Sequence, residues 1–178
     1  MPSPIDLVES LTALNQIAET LNRAADVRSV LGRVLAQLID LVGLETGWIF
    51  LVDPESRDTR WGKGYTLAVH QNLPPALALD NLDAWMGGCD CQERCNTGRL
   101  NKAVNDIYCS RLAEVSGDKR GLAVHASVPL SSGERVLGIL NVAGPDWDSF
   151  NPQALAFLTN VGGQMGAALE RTRLYDLL

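Results

Sequence analysis

The feature that most restricts how this chain can fold is a pair of alternating segments joined by a tight turn. Leu122, Val124, Ala126, Val128 and Leu130 alternate with Ala123, His125, Ser127 and Pro129. Successive side chains of a strand point to opposite faces, so the first set marks a buried face and the second faces the other way. Residues 131–134 (SSGE) carry turn chemistry, and residues 135–143 (RVLGILNVA) read as the returning strand. An isolated hairpin is marginal in water, so this one needs further strands and a covering layer.

The rest of the chain supplies both. Asn151 and Pro152 make a helix start, a cap followed by a first-turn proline. The helix they open runs toward Tyr175, with Leu155, Leu158, Met165 and Leu169 as its apolar positions. Gly162, Gly163 and Gly166 interrupt it, each at a cost of about 1 kcal/mol relative to alanine, which close approach to a helix or sheet would offset. Upstream, Asp26 can cap a helix whose wide apolar stripe is Val27, Val30, Leu31, Val34, Leu35, Leu38, Ile39 and Val42, ended by Gly43. A first helix places Leu7, Leu11, Leu14, Ala18 and Leu21 in a narrow heptad-like seam, suited to a partner helix or to the chain's own sheet.

Strands are expected over residues 46–52 (TGWIFLV) and 61–70 (WGKGYTLAVH), with turn residues at 53–56 between them. Pro74-Pro75 ends the second strand and can open a short helix through Leu79. Residues 81–120 read as irregular. The order predicts an α+β fold: one antiparallel sheet, the N- and C-terminal helices on one face, and an irregular cysteine-rich segment on the other.

Composition narrows the partners. The 178 residues are 46% hydrophobic and 20% charged, enough apolar material for one core. The net charge of −6 and the lack of any Lys/Arg run argue against direct binding of nucleic acid. No apolar stretch approaches the roughly 20 residues of a membrane span. Residues 1–6 (MPSPID) lack the basic start of a secretory signal, so a cytoplasmic location is expected.

The chemistry concentrates in one place. All four cysteines, Cys89, Cys91, Cys95 and Cys109, fall in the irregular segment as Cys-x-Cys-x3-Cys-x13-Cys. In extended chain Cys89 and Cys91 point to one side, Cys95 returns over a short turn, and Cys109 arrives from the far end of the loop. Four thiolates are the ligand set of structural zinc or of an iron–sulfur cluster. The spacing is neither two zinc knuckles nor a ferredoxin pattern. Three readings stay open: a shared metal centre, reversible disulfide chemistry, and thiols without a ligand. His125, on the face opposite Val124 and Ala126, and Trp85, just before Gly87-Gly88, are expected to wall a pocket beside the cysteines. The chain holds no phosphate-binding Gly-Lys-Ser/Thr loop, no Gly-x-Ser-x-Gly elbow and no His-Glu-x-x-His.

Three stretches carry a family resemblance: VRSVLGRVLAQLIDLVGLETGWIFLVD, HASVPLSSGERVLGILNVAGPD and FNPQALAFLTNVGGQMGAALERTRLY. Together they resemble the GAF family over residues 26–172. The resemblance implies a pocket between the sheet and the segment after the early strands. It also implies a place in a signalling protein, with a sensor histidine kinase as the expected context. Residues 1–25 then read as a signalling or dimerisation helix and residues 173–178 as the start of a linker helix. Paired terminal helices would form a parallel homodimer that passes the signal to an output domain such as a kinase.

One branch of the family reduces free methionine sulfoxide with cysteines of this loop. That likeness makes Cys109 the catalytic cysteine and Cys89, Cys91 or Cys95 its resolving partner. The chain departs from that branch at Leu140-Asn141-Val142-Ala143, where acidic residues would be expected. It also lacks the adjacent Cys-His of bilin-binding relatives.

Overall fold

The computed structural model describes residues 7–178; residues 1–6, read above for a signal, lie outside it. Ten main elements follow one another: helix α1 (Leu7–Arg23), α2 (Leu31–Leu41), strands β1 (Thr46–Val52) and β2 (Tyr65–Gln71), three short helices α3 (Leu82–Trp85), α4 (Asp90–Asn96) and α5 (Ser110–Glu114), strands β3 (Val124–Ser132) and β4 (Arg135–Gly144), and the long α6 (Pro152–Asp176). The strands form one antiparallel sheet in the order β2-β1-β4-β3. This is the expected α+β architecture.

Local chemistry sets the boundaries. Asp26 accepts from the backbone N–H of Arg28 at 3.0 Å and starts the single 3-10 turn Val27–Val30 that leads into α2. Gly43, at φ +73°, ends α2. Asn151 Oδ1 accepts from Ala154 N–H at 2.8 Å with Pro152 in the first turn, opening α6. The second strand begins at Tyr65 rather than at Trp61, because Gly62 (φ +98°) and Gly64 (φ +84°) turn the chain there. The short helix after Pro74 is a single 3-10 turn, Pro75–Leu77.

The sheet divides the interior in two. On one face Ile49, Ala126, Val128, Leu130, Leu140 and Val142 pack against the stripe of α2 and against Phe157, Leu158, Val161 and Met165 of α6. Burial of this kind supplies on the order of 25 cal/mol per Å² of apolar surface and is what holds the helices on. On the other face Trp48, Phe50, Tyr65, Ile139 and Ala143 pack against Leu77, Trp85, Cys91, Leu100, Ile107, Cys109 and Leu112. Helix α1 lies on α6 rather than on the sheet. Its buried positions are Ser10, Ile17 and Leu21, while Leu7 and Leu11 of the heptad-like seam stay exposed.

Candidate functional site

The segment expected to be irregular is built from α3, α4 and α5, laid across the second face of the sheet. Backbone bonds tie it to the edge strand: Val104 N–H donates to Ser127 O at 3.0 Å and Ser127 N–H to Val104 O at 2.8 Å. The tie fixes where Cys109 enters.

Cys89 and Cys91 do come together, by a different route from an extended strand. Cys89 is the residue just before α4, and Cys91 sits in the first turn of that helix. Their sulfurs are 2.9 Å apart. Cys109 precedes α5 in the same way, and its sulfur accepts from Leu112 N–H at 3.4 Å. Cys95 lies one turn along α4 from Cys91 and belongs to the same cluster of side chains. Its neighbour there is Tyr65, whose hydroxyl donates to Asn96 Oδ1 at 2.7 Å. Among the described residues no three His, Cys, Asp or Glu side chains stand close enough to hold a metal ion in this arrangement.

The four thiols differ in acidity. The hydrogen bond from Cys91 draws Cys89 down to about 6, helped by the Arg111 guanidinium and the Gln92 backbone N–H against the opposing effect of burial. The same bond and burial push Cys91 well above the usual thiol range. The pair therefore shares one proton, with Cys89 as the thiolate near neutral pH. Burial pushes Cys109 up to about 12 and raises Cys95 as well. Thiolate is the reactive form, and Cys89 is the most readily ionised thiol of the group.

Arg111 carries the positive charge of the site, and sequence reading missed it. It is 5% exposed and is the one buried Arg or Lys among the described residues, none of whose Asp or Glu is buried. Its Nη1 donates to Ala84 O (2.9 Å) and Trp85 O (2.7 Å), and its Nη2 to Gly87 O (3.0 Å). The guanidinium also lies over the rings of Phe50 and Trp85, 5.5 and 5.3 Å from their centroids. It thereby fixes the chain that leads into Cys89. A lone arginine in a stretch that reads as irregular gives no sequence signal of burial.

Trp85 and His125 are on the cysteine side of the sheet, packed among its aromatic rings, and neither lines one of the clefts found among the described residues. Trp85 is fully buried, donates from Nε1 to Leu77 O at 3.0 Å, and meets Trp48, Phe50 and Trp61 edge-on. His125 is buried with its ring 6.0 Å from that of Trp48. Its Nδ1 is 3.0 Å from Ser127 Oγ, which donates to Asn141 Oδ1 at 2.8 Å. Ser127 has one proton to give, so His125 Nδ1 is the donor in that pair. Burial lowers His125 to about 4, so the ring is neutral near pH 7.

Comparison with known proteins agrees with this architecture. The sequence model of the GAF domain matches residues 24–170. A curated relative, the sensor histidine kinase YhcY of Bacillus subtilis (strain 168), is 38% identical over 174 residues, covering 95% of this chain and 44% of the relative. The chain thus spans less than half the length of that protein. Among solved structures, the GAF domain of a phosphoenolpyruvate-protein phosphotransferase from Coxiella burnetii matches with TM-score 0.68 at 18% identity, over 96% of this chain and 98% of that one. Free methionine-R-sulfoxide reductase from Neisseria meningitidis matches with TM-score 0.64 at 20% identity, over 94% and 92%. At these identities the likeness is one of fold. With a family match spanning most of its length and a sheet and helices to suit, the chain belongs to the GAF domain family.

Proposed function

We propose that this domain is the redox- or gas-sensing input module of a sensor histidine kinase-type protein, with the four cysteines as its sensing element. One observation carries the reading: the Cys89 and Cys91 sulfurs meet at 2.9 Å on the buried aromatic face, beside the guanidinium of Arg111. Cys91 and Cys95 stand one helical turn apart on α4, and Cys109 enters from α5.

By residue type the donor set suits an iron–sulfur cluster or zinc, although as they lie no three of these side chains are close enough to hold one. It is all thiolate, one sulfur is already ionised, and a buried cation offsets the negative charge that such a set accumulates. Cys89, Cys91, Cys95 and Cys109 would hold the group, after a shift of the α4 and α5 starts. A cluster would supply one-electron chemistry; zinc would supply a structural tie. Anaerobic purification followed by absorbance spectra and iron, sulfide and zinc analysis tests this. Bound metal lost in a four-serine variant is the expected result. Colourless, metal-free reduced protein sinks the metal form.

Thiol chemistry without metal is the second reading, favoured by the low pKa of Cys89 beside a protonated Cys91. In its enzymatic form, the Cys89 thiolate would attack the sulfur of free methionine sulfoxide. The sulfoxide oxygen passes to the Cys89 sulfur with uptake of one proton, methionine leaves, and the cysteine becomes a sulfenic acid. Condensation with Cys91 releases water and forms a disulfide, which an external thiol reduces. A thiol-dependent turnover assay decides it. Activity lost in Cys89→Ser and retained in Cys109→Ser supports this assignment; the reverse supports Cys109 as catalytic cysteine.

Output would pass through the terminal helices. Leu7, Val8 and Leu11 of α1 and Leu174, Tyr175 and Leu177 near the end of α6 are exposed apolar residues, suited to a parallel homodimer feeding a kinase. Sedimentation of the wild type against Leu7→Glu/Leu11→Glu tests the dimer. Among the described residues no helix is long and apolar enough to cross a membrane.

A further inference from the structure

Two surface clefts along the cysteine segment run into one another. The first, about 480 Å³ in volume, has Asp83, Met86 and Glu114 on its lining. The second, about 290 Å³, has Cys89, Asp90 and Glu93. Gly88 and Ser110 line both, so the two form one trough. Asp83, Asp90, Glu93 and Glu114 thus lie along it, and none of the four has an ion-pair partner among the described residues. The cations on the lining are Lys63 and Arg111, and the Arg111 guanidinium is already engaged by the carbonyls of Ala84, Trp85 and Gly87. Lys119 bonds to Ala113 O at 3.4 Å and lines neither cleft. Carboxylates left unpaired along one groove repel each other, and an added cation relieves them.

Apolar surface adjoins this charge. Leu82 opens α3 and Met86 follows it one turn on, and they are 50% and 59% exposed; Leu79, just upstream, is 39% exposed. A single exposed apolar residue is ordinary, but a group of them beside a groove marks a contact surface. The walls are fixed in advance. Arg111 on α5 bonds the chain at the end of α3, so the wall bearing Asp83 and Met86 is tied to the one bearing Ser110 and Glu114. A preformed surface spares a partner the cost of ordering it.

The charge decides the kind of partner. Unpaired carboxylates repel phosphate, which argues against nucleic acid or anionic lipid on this face. Carboxylates flanked by apolar side chains complement a polypeptide that carries both cationic and apolar groups. We propose that the trough is the docking site for a basic, amphipathic segment of a partner protein. Its Lys and Arg side chains would sit against Asp83 and Glu114 and against Asp90 and Glu93, with an apolar side chain on Leu82 and Met86. The surface requires no particular sulfur chemistry, yet Cys89 lines it, so a seated partner covers that thiol.

The test uses the full chain, reduced, and a fluorescein-labelled peptide of Lys-Lys-Leu repeats, with a charge-matched control in which Ser replaces Leu. Fluorescence anisotropy should show saturable binding of the Leu peptide that weakens as salt is raised. The Ser peptide should bind roughly tenfold more weakly, having lost its apolar contact. Asp83→Lys/Glu114→Lys should raise Kd roughly tenfold or more, as two attractions become repulsions. Glu9→Lys/Asp40→Lys makes the same change in net charge at exposed positions of α1 and α2, outside the trough, and should raise Kd less than about threefold. All four positions are exposed, and circular dichroism checks that both variants fold. Bound peptide should slow hydrogen exchange over residues 82–93 and 110–114. Three results overturn the site: no saturable binding; equal loss of affinity in the two double variants, which would mark general attraction to an acidic protein; or a Ser peptide that binds as tightly as the Leu peptide. If Asp83→Lys/Glu114→Lys instead reduces the sedimentation coefficient of the protein alone, the face is a contact between copies of this chain and the proposal fails as well.

Discussion

Cys89 Sγ lies 2.9 Å from Cys91 Sγ, and a single proton serves both. The pair makes Cys89 the one thiol ionised at neutral pH, and that has a direct readout. In reduced, metal-free protein the rate of iodoacetamide alkylation at Cys89, located by peptide mass analysis, should be half-maximal at about 6. Cys91→Ala removes the donor and should move the midpoint upward, toward the ordinary thiol value. The same shift bears on stability. A group whose folded pKa is depressed stabilises the fold above its unfolded value, and loses that contribution as pH falls through the folded value. Stability from Cys89 should therefore decline as pH drops from about 9 toward about 6. A Cys89 that alkylates no faster than Cys95 at pH 7 would remove the shared proton from the account.

His125 gives a second pH dependence, at lower pH. Burial holds the ring neutral, with its pKa lowered from 6.5 to about 4. Between those values the unfolded chain binds the proton and the folded chain does not, so stability falls as pH drops through this window and levels off below it. The size is roughly 3 kcal/mol, at 1.36 kcal/mol per pH unit. His125→Asn should flatten this part of the curve in urea unfolding, at the cost of the Ser127 contact.

Arg111 organises the approach to Cys89 through three carbonyls. Arg111→Met keeps the length and apolar stem but strands Ala84 O, Trp85 O and Gly87 O. Roughly 3 kcal/mol or more of stability should go, as buried carbonyls lose charged donors. Hydrogen exchange should accelerate across residues 84–91 while β3 and β4 stay protected. Uniform acceleration across the sheet would show that the guanidinium supports the whole core rather than this loop.

The parts legible in sequence were those governed by local periodicity. The β3–β4 hairpin, the stripe of α2 and the Asn151-Pro152 start of α6 each follow from spacing or capping, and the structure has them within a few residues. The face of His125 followed from strand alternation. The α4 and α5 helices, of seven and five residues, were illegible because so short a helix shows no amphipathic period and is stabilised by tertiary contact alone. That omission carried over to the site: Cys89 and Cys91 meet through a helix start rather than through strand geometry. Arg111 was invisible for a different reason. Its partners are backbone carbonyls, which leave no trace in the sequence.

The glycines of α6 separate cleanly by what lies above them. A Cβ on Gly162 would come within 2.5 Å of Pro129 O, and one on Gly166 would overlap the backbone of Ser131. Helix and β3 touch there main chain to main chain, and neither can yield without moving the other. Gly163, between them, has nothing within 4 Å of its missing Cβ. Gly166→Ala should therefore destabilise by several kcal/mol or push α6 off the hairpin, the direction in which an overpacked rigid contact goes. Gly163→Ala should stabilise by about 0.5–1 kcal/mol, through the lower backbone entropy of the unfolded chain. Chemical denaturation of both variants checks the pair. The contrast bears on the proposed output route, which would pass through α6. Its seat on β3 lies on the strand that also carries His125 and Ser127, so in the proposed sensor a change on the cysteine face would reach the helix through that strand. In a variant such as Gly162→Ala that still folds, α6 should sit further from β3, and a redox-driven change at α6, followed by a spin label near its C-terminus, should weaken. An undiminished response would place the route elsewhere.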